Sequence, residues 1–207
     1  MRITFFGIAA MAAILFSACN NGDNKNEHEN HGVNNDTAQH DINKDDKEVK
    51  AVAVIYANAD AKVAASIKEI VDHYLQIKNG LANDNSKEAA YGGDAMTETM
   101  KKMDKSLLTA EQKKVYDEIE DNLKEHAEHI DDNSGNIKHQ RQHFAMMSED
   151  VYDLVKAFGA GQPIYHDHCP MYNENKGAMW LSEMKEIKNP YFGSEMPECG
   201  SVEEVIK

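Results

Sequence analysis

The sequence predicts a mainly α protein, an antiparallel four-helix bundle followed by a C-terminal, cysteine-containing tail that is irregular or forms a small β-hairpin. Three observations predict it. Between residues 59 and 160 apolar side chains recur with a period near 3.6 in four separate stretches. The connections between those stretches are short, which favours antiparallel neighbours. Beyond Gly161 the helical period is lost and turn residues become frequent. A chain of 207 residues suffices for one such domain and an appendage.

Residues 1–18 read as a lipoprotein signal peptide. Arg2 precedes an apolar run from Ile3 to Phe16 that is too short to cross a bilayer as a mature helix. Leu15-Phe16-Ser17-Ala18-Cys19 resembles a lipobox, in which Cys19 is lipidated after cleavage. The alternative is an ordinary signal cut near Ala18, and either one exports the chain. The expected location is the bacterial cell envelope, as a periplasmic lipoprotein anchored to a membrane. Residues 19–58 read as a polar tether, because Asn, Asp, Glu, Lys and His dominate it and cannot bury enough surface to offset the entropy of ordering. His28, His31 and His40 lie in this stretch and read as solvated residues rather than a metal tract. Residues 51–57 leave a short strand and a helix lead-in equally open.

From Asp60 the stripe Ile67, Ile70, Val71, Tyr74, Ile77 and Leu81 predicts a first helix that stops near Asn83 to Asn85. Ser86 is the expected N-cap of a second helix carrying Ala89, Ala90, Met96, Met100 and Met103, which Gly92-Gly93 is expected to interrupt. Thr109 and Gln112 form a capping-box signature before a third helix with Val115, Ile119, Leu123, His126 and Ile130 on one face. Asn133-Ser134-Gly135 breaks the chain. A fourth helix runs from about Asn136 through Phe144, Met147, Val151 and Leu154 to Phe158, ending at Gly159 or Gly161 with Pro163 beyond. Residues 161–207 form the tail. Its Asn173 to Gly177 turn, flanked by Met171 and Trp180, suggests a hairpin, and Asn189-Pro190 begins another turn.

The charge balance is 22 Lys+Arg against 36 Asp+Glu, a net −14, and no basic patch interrupts it. Nucleic acid is therefore excluded as a partner, since phosphate binding needs clustered cations. Local enzyme signatures are missing from the sequence: there is no Cys-x-x-Cys, no Gly-x-Ser-x-Gly and no phosphate-binding glycine loop. The carboxylates form no spacing that singles out an acid/base pair, so no catalytic residue is expected.

Chemistry concentrates in the tail. His166, His168, Cys169 and Met171 stand at one end of it and Met196 and Cys199 at the other. If the chain folds back, two imidazoles, two thiols and two thioethers converge. Thiolate and thioether ligands favour copper(I), while two Cys with two His suit tetrahedral zinc, the runner-up. The competing reading is a Cys169–Cys199 disulfide, favoured by an oxidising compartment and a tail with little core of its own. In the body, Met96, Met100 and Met103 share one face and read better as core than as a sulfur site. His126 with His129, and His139 with His143, have helical metal-ligand spacing; satisfied or surface histidines are the more economical reading, because no completing ligand is evident. Arg141 flanks the apolar face of the fourth helix in a body otherwise basic only through lysine, and is expected to clamp a carboxylate of a neighbouring helix or the tail, a structural role.

Gln140-Arg141, Phe144 and Ser148 on the fourth helix, with Cys169-Pro170-Met171, Gly177-Ala178, Trp180-Leu181-Ser182, Asn189-Pro190-Tyr191-Phe192-Gly193, Met196 and Cys199-Gly200 in the tail, resemble the family catalogued as domain of unknown function 3347. The resemblance spans about residues 60 to 202. It implies an exported bacterial module of the kind common among Bacteroidetes, also found fused to periplasmic adaptor subunits of Cus-type heavy-metal efflux systems. That context implies copper or silver handling. Cys169, Met171, Met196 and Cys199 match the family's tail, whereas His166 and His168 rest on local spacing alone. The expected function is thus a lipid-anchored metal-binding module that meets an efflux adaptor or another metal donor or acceptor. The alternatives are a disulfide-stapled structural or interaction lipoprotein and, third, a thiol oxidoreductase.

Overall fold

The computed structural model describes residues 49–207. The expected signal peptide, Cys19, His28, His31 and His40 lie outside the described residues. The protein is mainly helical, with four long helices and a small four-stranded sheet toward the C-terminus.

Local capping chemistry sets most helix ends. Helix α1 (Ala61–Ala82) starts at Asp60, whose carboxylate accepts from Lys62 N at 2.8 Å. Helix α3 (Ala110–Asp132) starts at the reciprocal Thr109/Gln112 capping box, with bonds of 3.0 and 3.2 Å. Helix α4 (Ile137–Phe158) is capped by Asn136 and stops at Gly159, which takes a φ of +77°.

Helix α2 (Ser86–Lys102) departs from expectation twice. Its cap is Asn85, which accepts from Glu88 N at 3.2 Å, while Ser86 is its first helical residue. It also runs unbroken through Gly92-Gly93. A Cβ on Gly92 would lie 2.7 Å from Ile77 Cγ1 of α1, and one on Gly93 2.6 Å from the Ala127 carbonyl oxygen of α3. The missing side chains let three backbones close up, and the packing so gained outweighs a helix penalty of about 1 kcal/mol per glycine.

Consecutive helices pack against each other, and α4 returns to α1. The core between them holds Ile67, Tyr74, Ile77, Met96, Leu123, Ile130, Phe144 and Met147, each fully buried. Met96, Met100 and Met103 are all core residues, as the packing reading expects. Gln140, also fully buried, donates to Ile130 O at 2.8 Å and Ser86 O at 2.9 Å and accepts from Ser86 Oγ at 2.6 Å, which joins one end each of α2, α3 and α4.

The tail is more ordered than a hairpin. Strands β2 (Ile164–Cys169) and β3 (Ala178–Ser182) form the antiparallel pair that the turn residues suggest. Two further strands extend it: β4 (Ser201–Ile206) pairs antiparallel with β2, and β1 (Lys50–Val52) pairs parallel with β4, giving the order β1-β4-β2-β3. The strand reading of the stretch after Lys50 thus holds for its first residues; Ile55 and Tyr56, in the turn that follows, donate to Lys156 O and Ala157 O of α4, so ordered chain begins inside the stretch read as tether. Among the described residues no helix is long and apolar enough to cross a membrane.

Candidate functional site

Three anchors, two of them fully buried, hold the tail together and fix it on the helices. Tyr74 of α1 stacks on Phe144 of α4, shares a 2.8 Å hydrogen bond with Ser148 and accepts from Leu181 N of β3 at 2.9 Å. Asn189 is fully buried; its side-chain oxygen accepts from Tyr191 N and Phe192 N, and its amide donates to Cys199 O at 2.6 Å. Arg141 is the third. It donates through Nε to Pro190 O at 2.8 Å and through Nη2 to Leu81 O at 2.9 Å and Asp84 Oδ1 at 2.7 Å. Asp84, between α1 and α2, also accepts from Ser194 N at 3.0 Å. The hydrogen bonds from Ser194, and then Arg141, pull the Asp84 carboxyl down from 3.8 to about 2. Gly193 completes this clamp at φ +53°, where a Cβ would lie 2.6 Å from Arg141 Nη2.

These anchors bring Cys169 and Cys199 together. Cys169, at the buried end of β2, and half-buried Cys199, held by Asn189, are free thiols with sulfurs 3.2 Å apart. The hydrogen bond and charge of Cys169, together with desolvation, push the Cys199 thiol up. The other tail candidates are less gathered. Met171 is exposed and Met196 half-buried. His166 leans on the Tyr152 ring of α4 at 4.8 Å between centroids, and its Nδ1 lies 3.8 Å from Glu204 Oε1. His168 stands against Gly177, at the far end of the β2–β3 connection. Among the described residues, neither imidazole joins both thiols in a group of three close ligand atoms. Of the six residues expected to converge, the structure brings the two thiols together, while strand alternation and the β-bulge between His166 and Asp167 set the histidines' directions independently of the cysteines'.

Two residues before Cys169 on β2 begins a buried polar group that the sequence did not single out. Lys78 of α1 and Asp167 of β2 are both fully buried. Lys78 donates to Glu183 at 2.7 Å, whereas neither Asp167 oxygen has a hydrogen-bond partner among the described residues. Desolvation raises the Asp167 carboxyl to about 8, so it stands protonated at neutral pH.

The largest gathering of nitrogen ligands is elsewhere, across the α3–α4 turn. His129 near the end of α3 and His139 and His143 at the start of α4 place one ligand atom each within 4.8 Å of one another. The rings of His129 and His143 stack at 4.2 Å, and those of His139 and His143 meet edge to face at 4.6 Å. His126 reaches His143 from one helical turn below, Nδ1 to Nδ1 at 3.2 Å. Burial, then the three neighbouring imidazoles, lower His143 to about 4. The i, i+3 and i, i+4 spacings that mark this cluster are visible in the sequence; their convergence depends on the crossing of two helices.

No curated protein and no solved structure matches the chain. Cys169, Met171, Met196 and Cys199 lie beyond the stretch that a family model matches. That stretch is residues 70–163, from the middle of α1 to the entrance of β2, and over it the chain matches the model of the family described as protein of unknown function (DUF3347).

Proposed function

We propose that the protein is a lipid-anchored periplasmic metal-binding module, in which an antiparallel four-helix bundle carries a docked tail whose cysteines take up a soft cation. Copper(I) is the first choice and zinc(II) the second, because two thiolates with thioethers close by in sequence form a soft ligand set. The observation that carries this reading is the 3.2 Å approach of Cys169 and Cys199, which stand 30 residues apart. Met171 follows Cys169 by two residues and Met196 precedes Cys199 by three, so each thiol has a thioether to recruit. A net charge of −14 draws cations toward the surface, and the polar stretch after Cys19 gives the module reach toward an efflux adaptor or another metal carrier. We read binding rather than thiol catalysis as the role of the pair, since Cys169 pushes the Cys199 thiol up, the opposite of an activated nucleophile.

The same sulfur proximity favours a second reading, a structural or interaction lipoprotein with a Cys169–Cys199 disulfide. Closing that loop would stabilise the fold by roughly 3–4 kcal/mol. Anaerobic, fully reduced protein separates the two when it competes for copper(I) against a colorimetric chelator. One equivalent bound, and lost in Cys169→Ser, is expected. No copper taken up by reduced protein, with both thiols oxidised as isolated, would overturn metal binding at the tail and leave the staple.

A further inference from the structure

We infer that the α3–α4 turn carries a second metal site, in which His129, His139 and His143 ligate a borderline divalent cation through nitrogen alone. It depends on neither tail cysteine, and so stands or falls separately from the reading above.

Geometry is the first support. Two nitrogens bound tetrahedrally to one ion at 2.0–2.1 Å are about 3.4 Å apart. The three imidazole ligand atoms already lie within 4.8 Å of one another. Rotation about side-chain bonds closes the remainder, without movement of either helix. His139 and His143 are one turn apart on α4, and His129 faces them from the last turns of α3, so rigid elements supply all three ligands.

The surroundings are the second support. A ligating imidazole is oriented by what its other nitrogen holds. His143 Nδ1 is engaged by His126 Nδ1 at 3.2 Å, which leaves His143 Nε2 for the ion and makes His126 a positioning residue. Glu125 Oε1 lies 3.9 Å from His129 Nε2, close enough to orient that ring without belonging to the group of close ligand atoms. His129 is exposed and the other two are half-buried, so an ion can enter from solvent. Nothing in the core requires four imidazoles here; the face of α3 is already filled by Leu123, Ala127 and Ile130.

Donor chemistry then sets the class of ion. Three imidazoles, with no sulfur, suit zinc(II), nickel(II) or copper(II) rather than copper(I). The site and the thiol pair would therefore sort cations by softness.

The test uses the full chain carrying Cys169→Ser and Cys199→Ser, titrated with zinc(II) near neutral pH. Calorimetry would follow binding and long-range proton–nitrogen spectra would follow the imidazoles. One equivalent bound is expected, with nitrogen shifts on His129, His139 and His143. His143→Ala and, should that variant fold poorly, the half-exposed His139→Gln should each weaken binding at least 100-fold. His126→Ala should weaken it about 10-fold while the three ligand shifts persist. Absence of zinc binding, or binding that survives both ligand variants and disappears on replacing His28, His31 and His40, would overturn the assignment. Because the tail thiols are absent throughout, neither result bears on copper(I) at Cys169 and Cys199.

Discussion

The Arg141 guanidinium donates to acceptors on three segments, Pro190 of the tail, Leu81 at the end of α1 and Asp84 in the turn after it. A lysine offers no such planar fan. Asp84 gives this clamp a pH signature. Its folded-state value of about 2 lies below the 3.8 of the free side chain, so its contribution is fully present above pH 4 and is lost as pH falls through 2. The carboxylate side chain is 41% exposed, and solvent screening discounts the linkage to about 1 kcal/mol. Asp84→Asn should therefore unfold at a lower urea concentration than wild type at pH 7, by about that amount, and the gap should shrink steadily below pH 4. A gap that stayed constant down to pH 2 would assign the loss to geometry rather than to charge.

Among the elements, α2 is the one whose sequence and structure diverge most. Gly92-Gly93 reads as a break when only propensity is consulted, but the residues are spent on contact with α1 and α3. Gly93→Ala sets the two effects against each other. Alanine gains up to about 1 kcal/mol of helix propensity, while its Cβ would meet the Ala127 carbonyl oxygen at 2.6 Å, a backbone atom that cannot swing away. The clash should dominate, for a net loss of about 1–3 kcal/mol in chemical denaturation; a Gly93→Ala protein more stable than wild type would disprove the close approach. The contrast marks what was legible. Asp60, Thr109 with Gln112, Asn136 and Gly159 act within one turn of their own position, so the ends they set could be read residue by residue. Cys169 and Cys199 were legible as a pair, and Arg141 as a clamp, though its carboxylate, Asp84, sits in the α1–α2 turn rather than on a helix or in the tail. Strand β4 was not, because Ser201–Ile206 has neither clear alternation nor a nearby partner: the strand on its free side comes from Lys50–Val52, some 150 residues earlier. The histidines were visible helix by helix, and only the α3–α4 crossing turns two spacings into one cluster.

At the scale of the whole molecule, the two ends of the described chain secure each other. Strand β1 is the outer partner of β4, Lys207 N donates to Val52 O at 2.9 Å, and Ile55 and Tyr56 tie the following residues to the last turn of α4. Tyr56 packs on Phe158 with ring centroids 5.5 Å apart. These residues cover β4, which in turn flanks the strand that ends in Cys169. Removal of residues 50–58 would leave β4 as an open edge and uncover part of Val205, Ile206 and Phe158. The lost hydrogen bonds and half-buried Val52, Val54 and Tyr56 amount to about 2–4 kcal/mol. The deletion should lower the urea midpoint accordingly, and amide exchange should accelerate first over residues 201–206 and then along β2, with α1 to α3 little changed. Uniform acceleration through all four helices would mean that sheet and helices unfold as one cooperative unit. Exchange confined to β4 would mean that the sulfur pair at the end of β2 is held by Asn189 and the helices, independently of the strand that the N-terminal segment protects.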